Sequence, residues 1–164
     1  METEDGTIGK ALIRLSNKFK ALDCSHSVED MVDFILSSHQ EHWKWRLTMA
    51  QVVTDSLNFE KYGIQGVYII GSTKNAVAGP SSDIDLLVHH HGDEKQVKDL
   101  EECIEAWGQV LSDMNFYRTG LRTHCLIDLH LITDVDIINK TSYAVMIGRA
   151  SDGAKLLKVQ SLKV

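Results

Sequence analysis

Apolar positions recur at helical spacing through the first third of the chain and then give way to short β-branched runs. Ile8, Leu12, Leu15 and Phe19 form a first, sparse stripe. Val28, Met31, Val32, Ile35 and Leu36 form a second, behind Ser27 and Asp30, a capping pair that uses the shorter acid. Trp43, Leu47, Ala50, Val53 and Leu57 carry a third stripe to about Asn58. The pattern predicts a helical N-terminal segment over about residues 8–60. After Tyr62-Gly63, the uncharged run Gly66 to Ile70 reads as a buried strand. Gly71-Ser72 ends it, and the polar stretch 73–82, TKNAVAGPSS, follows as a connection in which Thr73 to Val77 make one or two helical turns. In the next strand, Asp83 to Val88, the acids alternate with Ile84 and Leu86, so Asp83 and Asp85 share one face.

From Glu94 to Met114 the helical period returns in Val97, Leu100, Cys103, Ile104, Trp107, Val110 and Leu111, the clearest amphipathic helix of the chain. Tyr117 to Thr119 reads as a short strand. Thr123 to Ile132 reads as another, with Asp128 and His130 opposite Ile127, Leu129 and Leu131. A turn or short helix from Thr133 through Ile138, another over Tyr143 to Ile147, and a final helix over Ala150 to Leu157 with a short tail complete the expectation. No internal repeat or long linker interrupts the chain. The pattern predicts one α/β (α+β) domain over 1–164, a small mixed sheet packed with helices and carrying a helical N-terminal extension.

The 164-residue length agrees with one domain that buries roughly two thirds of its unfolded surface and needs no staple. Seventeen Lys and Arg against 23 Asp and Glu give a net charge of −6, which counts against a protein that wraps nucleic acid. It leaves room for a small site that takes a nucleotide through a metal. Cys24, Cys103 and Cys125 are too widely spaced for a zinc site or a disulfide framework and read as reduced thiols. No apolar run approaches the roughly 18 residues needed to cross a membrane. The acidic start METEDGTIGK is no signal peptide, so the expected location is cytoplasmic.

The chemistry lies in the strand acids. A buried strand seldom holds a charge unless that charge is paired or binds metal. If the strand of Asp128 lies beside that of Asp83 and Asp85, the carboxylates converge and need a cation, for which hard oxygen ligands suit Mg²⁺ or Mn²⁺. Two such ions about 3.5–4 Å apart activate an attacking hydroxyl and stabilise a leaving pyrophosphate. Gly71 lets backbone approach a ligand closely, and the Ser72 hydroxyl with the amides of the following turn can bind phosphate oxygens. Lys74 is a candidate to neutralise phosphate charge. Gly79 and Pro80 shape the return into the acidic strand.

Gly71-Ser72, ten intervening residues, then Asp83-Ile84-Asp85-Leu86 and a later strand acid in Leu126-Ile127-Asp128-Leu129 resemble the signature of the polymerase-β-like nucleotidyltransferases. The resemblance covers about residues 45–133. It implies a magnesium-bound nucleoside triphosphate, with ATP the first choice, whose nucleoside monophosphate passes to an acceptor hydroxyl with release of pyrophosphate. Asp83 and Asp85 would hold both ions. Asp128 would bind the catalytic ion and help activate the acceptor, and Gly71 and Ser72 would hold the β and γ phosphates. The small members often carry an arginine soon after the GS pair; here Lys74 and Asn75 stand there instead. About 30 residues follow Asp134, too few for the large acceptor domain of RNA-polyadenylating members. The stretches GSTKNAVAGPSSDIDLLVHH and YRTGLRTHCLIDLHLIT also resemble transferase domains joined to pyruvate-phosphate-dikinase-like or phosphoenolpyruvate-synthase-like proteins.

Other residues have plainer readings. His89-His90-His91 alternate in direction along a strand and make a poor tetrahedral site, so they read as a solvated strand end. His130 shares the face of Asp128 and either bonds an acid or phosphate or is a satisfied half-buried histidine; His124 is weaker. Arg122 and Arg118 precede the third acidic strand and either hold a phosphate bidentately or carry surface charge. One of Trp43 and Trp45 belongs to the core and the other to a base-binding groove or an interface. Trp107 and Met114 read as helix packing, and Cys103 and Cys125 as small core residues. Small-molecule or protein acceptors fit the acidic surface better than polymers. The competing reading is a non-catalytic nucleotide-binding module, or an antitoxin-like chain that binds another protein or its own copies.

Overall fold

The computed structural model describes residues 41–160; the expected helices at Ile8–Phe19 and Val28–Leu36, Cys24 and the last four residues lie outside the described residues. The third apolar stripe folds as α1 (His42–Ser56), which buries Trp45, Met49, Ala50 and Val53 completely. Leu57 turns extended, and Asn58 caps the single turn α2 (Phe59–Tyr62) by accepting from the Lys61 amide. Gly63 closes that turn at φ +64°, and a Cβ there would lie 2.5 Å from Gly92 Cα, so the tight approach of the two loops demands glycine.

Four strands follow: β1 (Ile64–Ile69), β2 (Ile84–His90), β3 (Ile127–Ile132) and β4 (Lys155–Val159), in the spatial order β3-β2-β1-β4. β1 lies antiparallel to β2 and to β4, while β2 and β3 are parallel. The parallel pair needs a long crossover, and α4 (Glu94–Thr119) supplies it. Asp93 and Gln96 form a reciprocal capping box at its start, and Gly120 ends it in the left-handed region.

The sheet has two unlike faces. Ile84, Leu86 and Val88 of β2, with Ile64, Val67 and Ile69 of β1, pack under α1 and α4 in the main core. The opposite face holds a smaller cluster, Ile70, Leu87, Ile132 and Ala144, closed by the 3-10 turn Ala144–Met146. Alternation along β2 and β3 sends Asp85 and Asp128 to this second face.

Three expected elements differ. Tyr117 to Thr119 form no strand but the last turn of α4, where Arg118 lies 4.4 Å over the Trp45 ring. β3 begins only at Ile127; ahead of it Ser112 Oγ donates to the Thr123 carbonyl, and the Leu126 amide donates to Gly108. The expected C-terminal helix at Ala150–Leu157 is instead β4, which runs Lys155 to Val159 along the free edge of β1. An unpaired β1 edge next to a buried core provides the backbone partners that outweigh local helical spacing. A sheet of four strands with several helices remains an α/β arrangement.

Candidate active site

β2 and β3 pair in register so that Asp85 stands directly beside Asp128. His130, two residues further along β3, brings Nε2 within 3.8 Å of Asp85 Oδ1 and 3.4 Å of Asp128 Oδ2. One donor atom from each of the three lies within 4.8 Å of the others. Tyr143 stacks on the His130 ring at 4.2 Å between centroids, with planes 26° apart.

Gly71 opens α3 (Gly71–Lys74) at φ +69°. A Cβ built on it would lie 2.9 Å from Asp85 Cγ and closer still to Oδ2. The Ile70 amide donates to the Asp85 carbonyl at 3.1 Å, which locks this approach. Only glycine combines that φ with that contact. Ser72, half-buried, follows in the same turn.

Asp83 lies exposed, one residue before β2. Burial and the Asp128 carboxylate push its carboxyl above the usual range, while Arg46 opposes them. Asp85 is also pushed up, first by burial and then by Asp128 and Asp83, against the pull of His130. Carboxylates raised by burial and by one another form a site that a divalent cation relieves. Two carboxylates beside an imidazole, with a third acid in electrostatic reach, fit a hard ion such as Mg²⁺ or Mn²⁺.

The structure thus brings together Asp85, Asp128 and Gly71, with Ser72 and Asp83 alongside. Both candidate phosphate cations are engaged in ion pairs. Lys74 Nζ pairs with Asp152 Oδ1 at 2.6 Å. Arg122 pairs with Asp113 at 3.2 Å and lies 4.3 Å over the Phe116 ring. It lines a cavity of about 470 Å³ with Gln109, Ser112, Thr123 and His124. The histidine run is not a solvated strand end: His90 is buried within β2, and His89 Nε2 bonds Asp134 Oδ1 at 2.7 Å. Trp45 is the core tryptophan and Trp43 is half-buried, while Trp107 and Met114 pack in the core. Cys103 and Cys125 are free thiols. Sequence reasoning missed Tyr143, an exposed residue beyond the last site strand, and Arg46, whose neighbours in the fold are far away in the chain.

A family model described as a nucleotidyltransferase domain matches residues 54–140, more than half of the 164-residue chain. The chain belongs to that family. The match spans β1, α3, β2, α4 and β3, the elements that carry the candidate site. No curated protein and no solved structure matches the chain. The polymerase-β-like nucleotidyltransferase domain and its candidate metal cluster together support nucleotidyl transfer as the general activity. No helix among the described residues is long and apolar enough to cross a membrane.

Proposed function

We propose that the chain transfers a nucleoside monophosphate from a nucleoside triphosphate, ATP first, to a hydroxyl of a small molecule or protein, with release of pyrophosphate. The observation that carries this reading is the in-register Asp85–Asp128 pair, with Gly71 packed against Asp85. Asp83, Asp85 and Asp128 are the residues to hold Mg²⁺ or Mn²⁺, with His130 as a further donor. The bound cation would neutralise triphosphate charge and increase the acidity of the acceptor hydroxyl.

The protein's own groups account for the remaining requirements. Gly71, whose bare backbone packs against the Asp85 carboxylate, and Ser72 beside it are the residues proposed to hold the β and γ phosphates. Asp128, the exposed member of the cluster, is the carboxylate proposed to help activate the acceptor hydroxyl. In-line transfer needs positioned oxygens and balanced charge, with little covalent work from the protein.

The test follows the label. The full chain, with Mg²⁺ and ATP labelled at either the α or the γ phosphate, is incubated with itself and with protein and small-molecule fractions. Transfer of the α label alone, lost in Asp128→Asn, is the expected result. Transfer of the γ label would make the chain a phosphoryl transferase and contradict the proposal.

A further inference from the structure

Arg46 is fully buried although it lies on α1 between core-facing residues. Its fork donates from Nε to the Ser82 carbonyl at 2.8 Å and from Nη2 to the Pro80 carbonyl at 3.0 Å. The same Nη2 reaches Asn115 Oδ1 at 3.0 Å, and Nη1 reaches the His42 carbonyl at 3.4 Å. Asn115, also fully buried, donates its amide to the same Pro80 carbonyl at 2.9 Å and to Leu121 at 3.4 Å. A buried guanidinium costs several kcal/mol, and simple packing between α1 and α4 would be served by an apolar side chain. What the charge reaches is the backbone just before Asp83.

That location separates Asp83 from the other acids. Asp85 and Asp128 sit inside strands, where the ladder holds them. Asp83 precedes β2; after it the Ile84 amide donates to the Leu126 carbonyl at 2.8 Å, and Thr73 Oγ1 donates to the Asp83 carbonyl at 3.4 Å. On the other side the 79–82 turn, closed by Gly79 and Ser82, is gripped by Arg46 and Asn115.

We infer that Arg46 and Asn115 form a buried clamp that positions Asp83 for the metal-bound triphosphate, an inference that rests on the nucleotidyl-transfer reading above. Both are positioning residues, since they act through the 80–82 backbone. Lysine at position 46 would keep the charge and lose the fork.

The experiment is a double-mutant cycle on the full chain. Arg46→Lys and Asn115→Ser are each made in the natural background and with Asp83→Asn, and Mg²⁺-ATP affinity is read by calorimetry beside thermal unfolding. Each clamp variant is expected to weaken binding about tenfold in the natural background and less than about twofold with Asp83→Asn. Equal losses in both backgrounds, or no loss from folded variants, would overturn the clamp. If Arg46→Lys does not fold, Asn115→Ser, which leaves the arginine in place, carries the test. Amide exchange supplies a readout free of nucleotide: Ser81 to Asp83 should exchange faster in Asn115→Ser while β3 is unchanged, and unchanged exchange at 81–83 would also overturn the clamp. A natural chain that binds no Mg²⁺-ATP defeats the transfer reading instead, and the clamp is then judged on that exchange and on binding of Mn²⁺ alone.

Discussion

Asp85 sits where a β-sheet least favours a charge, half-buried on a central strand, with glycine backbone against one oxygen and Asp128 in register beside it. Burial leads the forces that raise its carboxyl above the model-peptide value of 3.8, and His130 only partly offsets them. The folded protein therefore holds this proton more tightly than the unfolded chain. The sign follows for this one group: the stability that Asp85 contributes is fully present below about pH 3.8, is lost as pH rises through the raised folded value, and stays lost above it. Asp85→Asn removes that loss. In EDTA near neutral pH the variant should melt a few degrees above the natural protein, with the gap closing in acid. Mg²⁺ should then raise the Tm of the natural protein and leave that of the variant unmoved. Calorimetric melting at both pH values checks each part.

At the scale of elements, α4 shows how far local pattern reaches. Its apolar period is written in consecutive residues, and the structure forms it and adds the Asp93–Gln96 capping box at its start. Asp93→Ala should lower stability by about 1 kcal/mol, read as a reduced urea midpoint with an unchanged slope. The alternation that set Asp85 opposite Ile84 and Leu86, and Asp128 opposite Ile127 and Leu129, was equally legible, because period two is a property of each strand alone. Their parallel, in-register pairing was not, since it depends on how α4 returns the chain. Nor was β4 legible: Lys155 to Val159 takes its strand form from the edge of β1 rather than from its own half-exposed residues. The ion-pair partners of Lys74 and Arg122, Asp152 and Asp113, were not legible either, because the fold sets them. Arg46 gave no signal at all, for its acceptors at Pro80 and Ser82 lie 34 and 36 residues away.

At the scale of the molecule, and among the described residues, one face of the sheet carries the main core and the other carries the candidate site beside a smaller core cluster. The two-helix core under β1 and β2 holds the strands rigid, so that two acids and an imidazole can be kept close without collapsing the site. On the proposed reading, an overall charge of −6 works against capture of a bare triphosphate, and a bound cation would offset it. Calorimetric titration of ATP into the full chain, with Mg²⁺ and then with EDTA, tests that dependence directly when Asp85→Asn is run alongside. The account predicts saturable binding that EDTA abolishes and that Asp85→Asn weakens at least about tenfold. Binding of equal strength in EDTA, or undiminished in the variant, would contradict it.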